Sequence, residues 1–257
     1  MGPFAERMPG RVYREFVSPG RDGLKFLRFG LVSLPSGSEQ VIVGTPEELA
    51  LVIMGGKCDI TCLGFKWAGL GDRSTPFDGK ASAAYIPAGI GFTIAAQTPL
   101  LIALAAAPGS PGGIPQVVHP NDVEVSTSGM GNFRREVHTI IGPNISARRL
   151  FFGEVFGPEG NWITYPPHKH DTTSEREANL EEVRYYLSLP AGGFGFERVY
   201  AADGSFDHVK VVEDGSVSAI PCGYHTAASA PGYQFYYLWA MAGPVRDWKT
   251  VDDPDHS

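Results

Sequence analysis

His168 and His170, in the run Thr164-Tyr-Pro-Pro-His-Lys-His-Asp171, are separated by a single residue. Successive side chains of a strand point to opposite faces, so in an extended segment both imidazoles leave from the same face, which is metal-ligand spacing. Further on, Glu181 and Glu182 open Glu-Glu-Val-Arg-Tyr-Tyr-Leu-Ser-Leu, whose branched and aromatic residues suit a strand that carries one of the two carboxylates inward. His225 ends the strand-like run Gly215-Ser-Val-Ser-Ala-Ile-Pro-Cys-Gly-Tyr-His225, just past a Pro-x-Gly turn. A single histidine is more often a hydrogen-bonded or surface residue than a ligand. Three of them with one carboxylate make a donor set for a borderline divalent metal.

The elements that must position these residues are short. The 257 residues include 32 Gly and 21 Pro, and 43% are hydrophobic, spread over many brief Val, Ile, Phe and Tyr runs. That pattern predicts an all-β sandwich or barrel rather than a helical protein. Strand-length segments begin at Leu24, and the span from Gly69 to Lys80 reads as a loop. A helical turn or loop is expected between Asp171 and Leu180, and a hairpin from Gly195 to Tyr200 and Asp207 to Val212. Residues 1 to 23 are a mixed, polar lead-in. Ala107-Pro-Gly-Ser-Pro-Gly-Gly-Ile-Pro115 is the clearest linker and suggests two domains, 1–115 and 116–257.

Charge and cysteine content limit the partners. A formal net charge of -7 offers no basic field to nucleic acid or an anionic membrane. Cys58, Cys62 and Cys222 do not make a disulfide framework, and Cys58 and Cys62 are expected as core thiols. No apolar run is long enough to span a bilayer and no signal-peptide pattern opens the chain, so a soluble, cytoplasmic protein is expected. The oligomeric state is not legible, and a homo-oligomer stays open.

His-x-His, a Glu heading a strand, then Gly, five residues, Pro-x-Gly and a nearby His reproduce the order and content of the two cupin motifs. Two departures stand out: the Glu comes late, and Pro221-Cys-Gly-Tyr-His225 is one residue tighter before its His. Asn161-Trp-Ile-Thr-Tyr-Pro-Pro-His-Lys-His-Asp171, Ala178-Asn-Leu-Glu-Glu182, Gly193-Phe-Gly-Phe-Glu-Arg-Val-Tyr200, Pro231-Gly-Tyr-Gln-Phe-Tyr-Tyr237, Met241-Ala-Gly-Pro-Val245 and Asp252-Asp-Pro-Asp-His256 narrow the likeness. Together they resemble the 5-deoxy-glucuronate isomerase family of bacterial inositol catabolism, which is related to the 4-deoxy-threo-5-hexosulose-uronate ketol-isomerases. The resemblance implies an all-β bicupin of two jelly-roll barrels with few short helices. In the related enzymes the ligand Glu heads a Glu-x-aromatic-aromatic strand, which favours Glu182 over Glu181.

The first half repeats the second faintly. Six residues separate Glu48 from Gly55, as they separate the cupin Glu from its turn glycine, and Pro87-Ala-Gly-Ile-Gly-Phe92 mirrors Pro221-Cys-Gly-Tyr-His225. No His-x-His precedes Glu48, and Gly91 and Phe92 stand where the last His belongs. The expectation is a first barrel that keeps the turns without the metal ligands.

By the resemblance, the chain is an aldose-ketose isomerase acting on a small sugar acid, with metal ligands His168, His170, Glu182 and His225. Zinc suits the ligands by affinity, while manganese or iron can occupy the same set. The reaction also needs a proton carrier, for which His138, Glu197, Tyr186, Tyr237 and Glu182 itself are candidates, and a cation for the carboxylate, from Arg198, Arg184, Arg135 or Lys169. Arg184 shares the face of Glu182, whereas Lys169, between two inward histidines, should point away. An Fe(II)-dependent cupin dioxygenase and a non-catalytic sugar-binding bicupin are the alternatives. Oxygen uptake distinguishes the first, and the absence of turnover the second.

Overall fold

The structure, a computed structural model, describes residues 12–257; residues 1–11 of the expected lead-in lie outside the described residues. The chain divides into two compact units. One comprises 12–19, Phe26–Val123 and Ile140–Phe151, the other Gly20–Lys25, Glu124–Thr139 and Phe152–Ser257. Each unit thus takes a short segment from beyond the Pro-rich stretch at 107–115.

The first unit contains β1 (Val12–Val17), β2 (Arg28–Leu34), β3 (Glu39–Ile42), β4 (Glu47–Gly55), β5 (Cys58–Cys62), β6 (Phe65–Leu70), β7 (Ala83–Ile86), β8 (Phe92–Ala96), β9 (Leu100–Pro108) and β10 (Gln116–Val118). They form two antiparallel sheets, ordered β1-β2-β9-β4-β7-β10 and β3-β8-β5-β6. Alternating residues of the two sheets, among them Val32, Leu51, Ile60, Ile94 and Leu104, meet in one apolar core. Cys58 and Cys62 are free thiols within it, as the sequence suggests.

The second unit contains β11 (Glu124–Ser128), β12 (Arg135–Ile141), β13 (Phe151–Gly157), β14 (Trp162–Lys169), β15 (Glu181–Leu189), β16 (Phe194–Tyr200), β17 (Asp207–Glu213), β18 (Val217–Ile220), β19 (Tyr224–Ser229), β20 (Gln234–Ala242) and β21 (Val251–Asp252). Its sheets are ordered β11-β12-β13-β20-β15-β18 and β17-β16-β19-β14-β21. β16 and β17 are the expected hairpin. Helix is confined, among the described residues, to three single turns of 3-10 type.

The inner order β2-β9-β4-β7 recurs as β13-β20-β15-β18, and β3-β8-β5-β6 recurs as β14-β19-β16-β17. The faint internal repeat is therefore a repeat of one antiparallel sandwich. Register corrects one detail of it. Glu182 pairs with Ile220, the residue before Pro221, and in the first unit the residue paired with Ile86, just before Pro87, is Leu49. Leu49 therefore stands at the Glu182 position, and Glu48 corresponds to Glu181. Likewise His168 pairs with His225 where Ile42 pairs with Phe92, and Ile42, Leu49 and Phe92 all lie in the apolar core.

Glu48 is fully buried. Its carboxylate accepts the Arg148 and Arg149 amides at 2.7 Å each, the Leu150 amide at 3.0 Å and the Tyr85 hydroxyl at 2.6 Å. Replacing Glu48 by Ala would leave these donors unsatisfied inside the unit. Urea unfolding should show a loss of about 3 kcal/mol or more, with the metal content of the purified protein unchanged.

Candidate metal centre

β14 delivers the histidine pair. Pro166 and Pro167 cannot donate to a ladder, and the pairing of β14 with β19 is irregular between Thr164 and His168. Beyond the irregularity the register resumes with His168 opposite His225 on one side and Asp252 on the other. The loop 171–180 is folded without helix around the Glu177 carboxylate, which accepts the Asp171 and Thr172 amides at 2.7 and 2.9 Å and meets Lys169 Nζ at 2.8 Å. This loop returns Leu180 to His170: the Leu180 amide donates to the His170 carbonyl, and His170 Nδ1 lies 2.9 Å from the Leu180 carbonyl. The late position of the Glu is thus the length of this loop.

One ligand atom from each of His168, His170 and His225 falls within 4.8 Å of the others. Glu182 Oε2 joins them, 3.1 Å from His170 Nε2 and 3.2 Å from His225 Nε2. Carbonyl oxygens only accept, so His170 Nδ1 donates its proton to Leu180 and His225 Nδ1 donates to the Gly223 carbonyl at 3.0 Å. In the neutral rings both Nε2 lone pairs then face the carboxylate oxygen, an acceptor against acceptors. A cation between them resolves the conflict. His225 Nε2 is fully buried with no aligned hydrogen-bond partner, so these residues fit a divalent metal.

Electrostatics favour the neutral ring at two of the three histidines. Burial, then the charges of neighbouring imidazoles, hold His168 well below the ordinary range, and burial also lowers His225 despite its contact with Glu182. At His170 burial is outweighed by the Glu182 hydrogen bond and charge. Burial opposes ionisation of Glu182, yet Arg184 and the two imidazole contacts keep its carboxyl well below the usual range. Arg184, 1% exposed, donates Nε to Glu182 Oε1 at 2.6 Å and Nη1 to Thr164 Oγ1 at 3.2 Å, over the face of Tyr237. Arg184 holds Oε1 closely and reaches Oε2 only from Nη2 at 3.4 Å, so Oε2 is the oxygen that Glu182 presents to the histidines. Glu181 faces the other way and accepts the Lys25 amide at 2.8 Å.

A cavity of about 340 Å³ opens onto this set. Arg135 and Tyr237 line it with Glu182 and Arg184. Arg135 donates Nη1 to the Tyr165 carbonyl at 2.7 Å and makes no ion pair among the described residues; burial lowers its pKa. The structure does not bring the other candidates into the cavity. His138 sits with Glu136, 2.6 Å away, on the opposite face of β12 from Arg135 and Val137. Tyr186 donates to Glu197 Oε1 at 2.5 Å, and Glu197 also meets Lys210 Nζ at 3.0 Å, in a layer behind Arg184. Arg198 is paired with Asp207 on the exposed face of the hairpin, and Lys169 points away, as expected from alternation.

Thr164, Trp239, Met241, Trp248 and Asp252 belong to the site without having been singled out as site residues. For Trp239 and Met241 the signal was present: they alternate with Tyr237 along β20. Trp248 and Asp252 arrive by a chain return that no local pattern announces.

A model of the KduI/IolB family matches residues 8–257. The chain is 38% identical over 249 residues to a 5-deoxy-glucuronate isomerase of Geobacillus kaustophilus, spanning 96% of this chain and 90% of that protein. It is 33% identical over 243 residues to the protein of that name from Bacillus subtilis strain 168, spanning 93% and 90%. The crystal structure of an IolB-like protein from Salmonella typhimurium LT2 superposes with a TM-score of 0.91 at 32% identity, covering 95% of this chain and 93% of that one. Bacillus subtilis oxalate decarboxylase, at 14% identity and a TM-score of 0.67, shares the fold alone, covering 95% of this chain and 75% of its own. The architecture is thus the all-β bicupin that the sequence implied. No helix among the described residues is long and apolar enough to cross a membrane.

The Glu182 geometry separates the two adjacent carboxylates. In chelator, Glu182→Gln should cost about 3 kcal/mol in urea unfolding, since Arg184 stays behind as a buried cation. Glu181→Gln should be milder, because an amide oxygen can still accept the Lys25 N–H.

Proposed function

The chain belongs to the KduI/IolB family, and from that premise we propose that it is an aldose-ketose isomerase that converts 5-deoxy-glucuronate to 5-dehydro-2-deoxy-gluconate in inositol catabolism. The observation that carries the reading is the near full-length likeness to proteins named 5-deoxy-glucuronate isomerase. The geometry supports it: a cavity that joins a three-histidine, one-glutamate set to a guanidinium with no ion pair among the described residues suits a sugar acid.

The difficulty of the reaction is the weak acidity of the proton next to the aldehyde. His168, His170, His225 and Glu182 would hold a divalent metal, which would supply Lewis-acid chemistry at the carbonyl oxygen. The protein residues would leave the metal's charge available, because the Glu182 carboxylate and the Arg184 guanidinium cancel and imidazoles coordinate as neutral donors. Zinc is the ion proposed on affinity, with manganese or iron able to serve. Arg184 and Tyr237 on the cavity wall form a fixed donor and acceptor layer with the buried Thr164, whose hydroxyl lies 3.0 Å from that of Tyr237. Arg135 is assigned the substrate carboxylate, which its planar fork can bind with two hydrogen bonds. The first barrel, with Leu49, Ile42 and Phe92 at the ligand positions, is a degenerate cupin and takes no metal.

The direct test is proton NMR of 5-deoxy-D-glucuronate with the purified protein under nitrogen, before and after chelation and with each divalent metal restored. Conversion that stops with chelator and returns with metal is expected. No conversion under any metal would refute the isomerase reading. Arg135→Met should raise KM by roughly 10- to 100-fold, the worth of a charged hydrogen bond, with kcat less affected; steady-state kinetics reads the split.

A further inference from the structure

We propose that the Asp252 carboxylate carries the proton between the two substrate carbons, an assignment that rests on the isomerase reading. The carrier must line the cavity, stand beside the metal ligands and have no other duty. Apart from the ligands, the acid-base groups lining the cavity among the described residues, leaving the guanidinium groups aside, are Tyr165, Tyr237 and Asp252. Tyr237 shares its hydroxyl with Thr164 and lies under the Arg184 guanidinium. Tyr165 packs its ring against Phe133 and Trp162. Asp252 alone among the three is a carboxylate.

The β-ladder places it. Asp252 pairs with His168 across β21 and β14. Residues directly opposite in an antiparallel pair project from the same face with Cβ atoms about 4.5–5.5 Å apart, so Asp252 stands beside a ligand on the ligand side. Its neighbours obey the alternation. Lys169, across from Val251, turns to Asp171 and Glu177, and Asp253 turns outward to accept the Tyr200 hydroxyl at 2.5 Å. Among the described residues no hydrogen bond or ion pair engages the Asp252 carboxylate, while the Arg135 guanidinium is near enough to feel its charge. Of the sequence stretch Asp252-Asp-Pro-Asp-His256, the Asp253 side chain has a hydrogen-bond partner and the Asp252 side chain has none among the described residues.

The chemistry balances within the substrate and this one side chain. Asp252 takes the proton from carbon 2, whose C–H electron pair becomes the C1=C2 double bond as the carbonyl pair moves to oxygen 1. The proton of the carbon 2 hydroxyl passes to oxygen 1, the C2=O bond forms, and carbon 1 takes the proton back from Asp252. One proton leaves carbon 2 and one reaches carbon 1. No electrons enter or leave, so no co-reactant is needed. Adjacent carbons on one face of an extended enediol lie within reach of a single carboxylate.

The test compares metal-loaded wild type with Asp252→Asn, Asp252→Glu and Asp252→Ala on 5-deoxy-D-glucuronate in D2O under nitrogen, following by NMR both product and deuterium entry at carbon 2. Asp252→Asn should lower kcat about 1000-fold and slow exchange in the same proportion, with metal content, melting temperature and KM unchanged. Asp252→Glu should keep part of the rate, and formate added to Asp252→Ala should restore activity, as a missing base allows and a missing strut does not. An Asp252→Asn protein within about tenfold of wild type, or one whose loss follows loss of metal, overturns the assignment and leaves the isomerase reading intact. Wild type that converts nothing overturns the isomerase reading, and the assignment with it.

Discussion

Two imidazole lone pairs and one carboxylate oxygen confront each other at 3.1 and 3.2 Å around Glu182 Oε2. Such a cluster of acceptors repels itself unless a cation lies within it, and the second unit is built to hold it together. Arg184 grips the other carboxylate oxygen at 2.6 Å, reaches Oε2 more weakly at 3.4 Å, and compensates the carboxylate charge. Backbone carbonyls at Leu180 and Gly223 take the Nδ1 protons of two of the three rings and aim Nε2 inward. The lone pairs are therefore oriented by main chain, which is harder to displace than another side chain.

That dependence explains features that look incidental in the chain. The irregular ladder at Pro166 and Pro167 resets β14 so that His168 meets His225. The loop 171–180, tied down by Glu177, exists to return Leu180 beneath His170. Gly223, at φ 93°, occupies left-handed backbone while its amide donates to Asp171 at 2.7 Å, which connects the turn before His225 to the loop after His170. A Cβ at Gly223 would come within 2.8 Å of the Tyr200 carbonyl, so the turn before this ligand also requires glycine for lack of space.

Alternation made much of this legible. It put His168 and His170 on one face, Arg184 with Glu182, and Lys169 outside. It could also have removed two candidates. Glu197 and Arg198 are adjacent on β16 and cannot both face inward, and Arg135 and His138 are three apart on β12 and so face opposite ways. The Glu48 assignment failed for a different reason. Counting from Gly55 assumes an unbroken strand, but the β4 register shifts between Ile53 and Gly55, so the count lands one residue early and the true counterpart of Glu182 is Leu49. Asp252 and Trp248 were beyond local reasoning, because only a long return of the chain brings β21 to the edge of β14.

The two units are one ladder stabilised in two ways. At Ile42, Leu49 and Phe92 the first closes its interior by burial and dispersion, which need nothing from outside the chain. At His168, Glu182 and His225 the second keeps polar groups that have lost their water and are only partly repaid by one another, since replacing such buried ionic sets with apolar residues is often neutral or stabilising. The polar solution therefore persists in the unit where a cavity meets it, and it is there that a bound cation would contribute folding free energy. The strands β14, β15 and β19 that carry the donors are therefore the ones whose packing a bound cation would support, while the interior of the apolar unit makes no such demand.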